Sequence, residues 1–226
     1  MLQTINLLMK RLIFSLVIAT GYSLHAFAQQ SFVEGEITYK VHIEQGDPAA
    51  PVQKSEDGTL VIRLKGNRVV KELKLNSGFN NTMLLDGDKS AYSLRKIGNA
   101  RYAIQLAPSQ IAERRSKCSQ MELTNLPVEA NTIAGFRTLC AKLVCNDVGT
   151  HTVYYTKDWT ISSNLLFEQF PRFGYLPLKY EIKNEKGATM RFTLSRIESK
   201  PLDNALFSLP DGYKVISSEE YRSWNH

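Results

Sequence analysis

Leu60-Val61-Ile62-Arg63-Leu64-Lys65-Gly66-Asn67-Arg68-Val69-Val70-Lys71-Glu72-Leu73-Lys74-Leu75 is the stretch that decides the fold class. Two runs of alternating apolar and polar residues flank Gly66-Asn67, a pair suited to a tight hairpin because glycine adopts positive φ at no steric cost. In the second run Val69, Lys71, Leu73 and Leu75 share one face, while Arg68, Glu72 and Lys74 lie mostly on the other. Side chains alternate across a strand, so this pattern describes a sheet with one dry face and one wet face.

The same signal recurs along the chain. Met83–Leu85 and Ser90–Leu94 flank Asp86-Gly87-Asp88, and Ala91–Ile97 leads through Gly98-Asn99 to Tyr102–Leu106. Further on, Phe136–Val144 and Thr152–Thr156 flank Asn146-Asp147-Val148-Gly149, and Leu178–Lys183 and Met190–Ile197 flank Asn184-Glu185-Lys186-Gly187. Short strands at such spacing, with turn residues between them, predict a meander. Helical periodicity is confined to short stretches near Pro108–Ser116 and Asn164–Gln169. The expected fold is mainly β: one large curved antiparallel sheet with a few short helices against its concave side.

Upstream of this domain, Lys10-Arg11, an almost uncharged apolar run from Leu12 to Leu24, and Ala26-Phe27-Ala28 occur in the order of a cleavable export signal. The apolar run of about 13 residues falls short of the roughly 20 needed to span a bilayer. Cleavage after Ala28 makes residues 1–28 a signal peptide and 29–226 a single domain. No cysteine near the cut offers a lipid attachment point, which predicts a freely soluble periplasmic or secreted protein with no transmembrane segment in its mature chain.

The formal charge of +6 includes two positive residues of the signal, leaving 26 basic and 22 acidic side chains and a net charge of +4. That excess is too small to argue for nucleic-acid binding. Arg63, Lys65, Arg68, Lys71 and Lys74 read either as the wet face of a sheet or as a surface for anionic headgroups.

Cys118, Cys140 and Cys145 remain after cleavage, in a compartment that permits disulfides. On one strand, Cys140 and Cys145 lie too far apart to bridge each other, so Cys118 is the necessary partner. A chain reversal near Val128-Glu129 sets Cys118 opposite Cys140, the first choice, with Cys118–Cys145 the second. No C-x-x-C motif points to redox catalysis.

Between the last two hairpins, Tyr154, Tyr155, Trp159, Phe167, Phe170, Phe173, Tyr175 and Tyr180 place eight aromatics in 27 residues. Tyr154, Tyr155 and Tyr180 fit cross-strand packing. Trp159, Leu165, Phe167, Phe170 and Phe173 fall in a loop, and they either cap the core or line an apolar ligand cavity.

Catalytic signatures are absent: there is no H-E-x-x-H, G-x-S-x-G, phosphate loop or dinucleotide glycine pattern. His42, His151 and His226 are scattered without ligand-spaced partners, so neither a metal nor a cofactor is expected. Asp86-Gly87-Asp88 lacks the remainder of a calcium loop and is better explained as a hairpin turn.

Four segments together resemble a group of bacterial secreted domains of unknown function, related to the GLPGLI family and similar in fold to the lipoprotein carrier LolA. They are Thr132–Phe136 leading to Ala141-Lys142, Val153–Asp158, Gly174–Tyr180 and Leu206–Tyr213. Gly174-Tyr175-Leu176-Pro177-Leu178 replaces the GLPGLI signature itself, so the resemblance is to the wider group. It implies a half-barrel whose apolar concavity holds acyl chains, with Gly135 and Pro177 as turn and edge devices. Two functions are compatible with this reading. One is a non-enzymatic exported protein that binds a lipid, acylated protein or other apolar ligand. The other is a structural or protein-interaction module of the envelope.

Overall fold

The hairpin around Gly66-Asn67 forms in the chain's computed structural model, joining β3 (Ser55–Lys65) to β4 (Arg68–Leu75) with Lys65 opposite Arg68. The structure describes residues 29–44, 55–87, 90–116, 120–129, 131–145, 149–161, 166–167, 170, 173–183 and 187–224. Segment 1–28, Cys118 and Leu165 lie outside them.

Before this hairpin come β1 (Gln30–Phe32) and β2 (Glu34–Glu44). After it the meander continues through β5 (Asn80–Asp86), β6 (Ser90–Ile97) and β7 (Ala100–Gln105), followed by α1 (Pro108–Ser116). The second half contains β8 (Met121–Leu126), β9 (Thr132–Ile133), β10 (Phe136–Arg137), β11 (Leu139–Cys145), β12 (Gly149–Ile161), β13 (Tyr175–Lys183) and β14 (Thr189–Ser199). A 3-10 turn (Asn204–Phe207), β15 (Lys214–Ser217) and α2 (Ser218–Ser223) finish the chain.

Among the described residues, thirteen strands form one curved, open sheet in the order β15-β7-β6-β5-β4-β3-β2-β14-β13-β12-β11-β8, with β1 added beside β12. The two meanders run outward from a central seam where β2 pairs with β14 along its whole length, Gly35 opposite Ser199 and Glu44 opposite Thr189. All pairings in this sheet are antiparallel except β1 with β12 and β15 with β7, which are parallel. Both exceptions are short strands: β1 leads into β2 through the single residue Val33, and β15 returns to the sheet after residues 200–213, so neither is joined to its parallel partner by a hairpin. No helix among the described residues is long and apolar enough to cross a membrane.

The dry face carries the main core, built from Ile37, Tyr39, Ile62, Leu64, Val69, Leu143, Val153, Leu176 and Leu178 and their neighbours. Helix α1 packs against this face through Ile111. On the opposite face, Val70, Leu84, Leu94 and Ala103 form a second small core with Phe207, Leu209 and Tyr213. The chain after β14 is held over that face by polar contacts. Leu202 N–H donates to Glu34 (2.8 Å), Lys65 reaches the Leu202 carbonyl (2.5 Å), and the Arg68 guanidinium donates to Asn204 (2.9 Å) and lies over the Phe207 ring.

The cationic residues of the opening hairpin resolve into wet-face pairing. Arg63 bridges Glu36 and Glu72, Lys65 pairs with Glu34, and Lys74 with Glu72. Lys71 stands on the dry face opposite Met83, as its alternation with Val69 and Leu73 requires. The short helix expected near 164–169 falls mostly outside the described residues, and Leu166 and Phe167 are not helical.

The first-choice disulfide needs correction. Cys145 is disulfide-bonded, whereas Cys140 is a free, buried thiol, so Cys140 is not the partner of Cys118. The register explains the change. The reversal between β8 and β11 occurs not at Val128-Glu129 but at Ala134-Gly135, the turn of the small β9–β10 hairpin. Both turn residues have positive φ (51° and 83°), the geometry of a tight two-residue hairpin. Leu126 therefore lies opposite Cys140, and Met121, three residues from Cys118, lies opposite Cys145.

Candidate functional site

The concave face has two differently filled halves. Under β12, β13, β14 and β2, the described aromatics ahead of β13, Phe167, Phe170 and Phe173, are part of the core. Phe167, Phe170 and Phe173 are 5%, 1% and 5% exposed. Their rings form a continuous network with strand aromatics. Phe167 meets Tyr39 edge-on and stacks on Phe170 (5.7 Å), Phe170 meets Tyr180 edge-on (5.2 Å), Phe173 meets Tyr155 (5.1 Å), and Tyr180 stacks on Phe192 (4.7 Å). Trp159 is set apart, half-buried at an irregularity of β12 and edge-on to Phe32 (6.0 Å). The structure thus brings Phe167, Phe170 and Phe173 together as a plug and leaves Trp159 at its margin.

Two buried hydroxyls within this plug are hydrogen-bonded. Tyr39 donates to the Pro177 carbonyl (2.8 Å) and Tyr155 to Asn125 (3.1 Å). Burial, with Tyr180 nearby, pushes the Tyr39 phenol well above its usual range, and burial does the same to Tyr180. Pro177, read from the sequence as an edge device, lies instead inside an interior strand and is buried.

Under β4–β7 the same face is less completely covered by described residues. Alternation from the core residues Leu85 and Ala91 places Met83, Asn81 and Phe79, then Ser93 and Arg95, then Ile104 and Tyr102, on the concave side. Leu73 and Met83 are only partly buried. Phe79 and Trp224 are 42% and 44% exposed. The Arg95 guanidinium lies over the Phe79 ring (5.3 Å), Arg95 pairs across the ladder with Tyr102, and Tyr102 meets Trp224 edge-on (5.0 Å). The result is a mixed floor, in which Leu73, Met83 and Ile104 lie among Lys71, Asn81, Ser93 and Arg95, with an aromatic rim. Sequence reasoning missed it because Phe79 and Trp224 are isolated in sequence and meet only through strand pairing and the α2 contact.

A second feature lies in the C-terminal half. β12 and β13 are paired up to Val153–Tyr180 and not beyond. Past that pair each strand stays bound to its outer neighbour: Thr150–Thr152 with Val144–Lys142 of β11, and Glu181–Lys183 with Arg191–Thr189 of β14. The sheet forks there, and a cavity of about 540 Å³ occupies the opening. A register shift sits two pairs inside the fork, where Tyr154 faces Lys179 but Tyr155 faces Pro177, leaving Leu178 as an extra residue. Such a bulge bends its strand and increases local twist, and Pro177 has no N–H to offer the ladder.

No protein-family model matches this chain, and no curated protein matches it. The comparisons therefore do not show the GLPGLI relationship. Among solved structures the chain is similar to MucB at 15% identity and a TM-score of 0.42, over 84% of this chain and 62% of MucB, so it spans about six-tenths of that protein's length. It is similar to an uncharacterised conserved protein from Thermus thermophilus at 9% identity and a TM-score of 0.45, over 84% of this chain and 92% of the other. It is also similar to a LolA superfamily protein from Nitrosomonas europaea at 13% identity and a TM-score of 0.35, over 81% of this chain and 94% of that one.

Proposed function

We propose that this chain is a non-enzymatic, exported binding module that holds a lipid, an acylated protein or another apolar molecule against its concave face. The observation that carries this reading is the concave face under β4–β7, incompletely covered by described residues, where the partly buried Leu73 and Met83 share a face with the exposed rings of Phe79 and Trp224. Half-exposed aromatics on the same face as a core are the kind of surface a ligand's apolar part covers. In this reading Phe167, Phe170 and Phe173 close one end of the concavity, with Trp159 at its margin, and the ligand occupies the other.

The test is titration of the purified exported protein with a fluorescent fatty-acyl probe, read in part through Trp224, together with native mass spectrometry for co-purified lipid. Phe79→Ala and Trp224→Ala are each expected to weaken probe binding about tenfold, the effect of losing roughly 1.4 kcal/mol of contact. A protein that purifies empty and leaves the probe unbound would end this reading.

A second reading, a protein-interaction module, is favoured by the open ends of the sheet. Among the described residues, β8 and β15 present unpaired outer edges, and Leu123 on β8 is exposed. Unpaired edges accept a strand from another chain. Thr124→Pro, which removes an N–H from that edge strand, should then abolish partner capture while leaving acyl-probe binding intact.

A further inference from the structure

We propose that the fork between β12 and β13 is a docking site for a short, extended, acidic peptide segment. This site is separate from the floor under β4–β7, and the two stand or fall independently.

Main-chain geometry is the first part of the argument. Successive residues of an antiparallel strand direct their N–H and C=O groups alternately to the two neighbouring strands. Each three-residue stretch bordering the fork therefore has at least one residue whose main-chain pair points into the gap, with no ladder partner across it. Such groups are a template for another extended chain. Three residues span about 10 Å at strand rise, which suits a peptide of three or four residues.

Charge selects the kind of peptide. The walls are Thr150, His151 and Thr152 on one side and Glu181, Ile182 and Lys183 on the other, with Lys179 and Tyr154 at the apex. The Glu181 carboxylate accepts from Arg191 at 2.7 Å, a guanidinium it shares with Glu44 at 3.4 Å. Lys179 and Lys183 share a strand face with Glu181, and neither has a carboxylate partner among the described residues. The Lys179 ammonium stands over the Tyr154 ring at 5.6 Å. Three cations, Lys179, Lys183 and Arg191, thus stand against two carboxylates, Glu181 and Glu44, leaving a net positive charge beside the hydroxyls of Thr150, Thr152 and Tyr154.

An orphaned polar atom gives independent support. His151 Nε2 is buried and has no hydrogen-bond partner among the described residues, although His151 lines this cavity. An unpaired buried polar atom is unfavourable, a penalty that a polar group entering the fork removes. Strand edges for the main chain, two lysines for carboxylates and an unpartnered imidazole together fit an acidic extended segment better than a neutral or apolar one.

The experiment is a ¹⁵N NMR titration of the exported protein with three probes: the capped tetrapeptide Thr-Glu-Val-Glu, its Thr-Gln-Val-Gln counterpart, and sodium phosphate. The acidic peptide should produce saturable shifts confined to the amides of Thr150–Thr152 and Glu181–Lys183. The glutamine peptide should bind at least tenfold more weakly, and a Lys179→Gln/Lys183→Gln protein should lose the acidic peptide by a similar factor. Both lysines are on the wet face, and unchanged amide positions elsewhere would report an intact fold. No saturable shift at millimolar acidic peptide overturns the proposal. Equal binding of both peptides refutes the charge argument, and phosphate reproducing the same shifts at the same affinity makes the fork a site for free anions instead.

Discussion

The Tyr39 hydroxyl donates a 2.8 Å hydrogen bond to the carbonyl of Pro177, tying β2 to β13 across the intervening β14 and across 138 residues of sequence. The phenol is fully buried, and its partner sits at the bulge from which the β12–β13 fork opens. Tyr39→Phe keeps the ring contacts and removes only this bond, stranding a buried carbonyl. The expected loss is about 1–2 kcal/mol in denaturant unfolding, with no change in m-value.

Alkaline titration follows from the same burial. Tyr39 and Tyr180 both have pKa values raised above the ordinary 10.0 by burial, Tyr39 also by its neighbour Tyr180. In the folded protein they remain protonated where the unfolded chain ionises them, so stability falls as pH rises above about 10. Absorbance at 295 nm should show these two phenols titrating only together with the loss of tertiary structure. Smooth ionisation in a folded protein would contradict their placement.

At the acid end, Glu72 contributes to the response alongside Glu34 and Glu198, whose carboxyl pKa values are also lowered. Burial alone raises the pKa of Glu72, but hydrogen bonds and charge from Lys74 and Arg63 outweigh that and leave it below the usual 4.5. A depressed carboxyl pKa contributes stability that is complete above 4.5 and lost as pH falls through the folded value. Glu72→Gln should cost up to about 1 kcal/mol at pH 7 and flatten the decline of Tm below about pH 4.5.

Phe170→Ala separates plug from pocket. A 1% exposed ring contacting Phe167, Phe173 and Tyr180 leaves a core cavity when truncated, and the expected loss is about 3–5 kcal/mol. Acyl-probe affinity, measured below the lowered Tm, should stay within about threefold of wild type if the ligand lies under β4–β7. A large affinity loss with little change in Tm would move the site to the plug.

Thiol chemistry checks the corrected pairing. Cys140 is 6% exposed, and burial raises its pKa, which suppresses the reactive thiolate. One thiol per chain should react with an aromatic disulfide reagent, and only after denaturation. Cys140→Ala should leave the mass signature of the Cys145 disulfide unchanged, whereas its loss would reinstate Cys140 as a bridging residue.

Gly35 fixes the central seam. It has φ of 146°, and an added Cβ would sit 2.0 Å from the Glu198 carbonyl oxygen on β14. Gly35→Ala cannot preserve the β2–β14 register at this point. A loss above about 4 kcal/mol, in the range reserved for backbone and overpacking damage, is expected in thermal or denaturant unfolding.

How much of this was legible in the sequence follows from the range of each signal. Alternation and turn residues are local, so β3 to β7, the β11–β12 and β13–β14 hairpins, α1 and the wet face of β4 were readable before any coordinates. The aromatic crowding was visible too, but density does not tell a plug from a lining. That distinction depends on whether Phe167, Phe170 and Phe173 meet one another or open space, and they meet Tyr39, Tyr155 and Tyr180. The disulfide choice failed for a related reason: one short β9–β10 hairpin moves the reversal and changes which cysteine faces the segment after Cys118.

Composition, periodicity and turn chemistry by themselves determined a mainly β chain with one buried sheet face, short helices and no recognisable catalytic constellation. Tertiary structure alone decided that β2 meets β14, that the chain ends add parallel strands, and that the concavity is plugged at one side and partly open at the other. It also decided that β12 and β13 part company beyond Val153–Tyr180. A strand's own residues fix its faces and its nearest turn. Which distant edge it joins depends on the shape and twist of everything already paired.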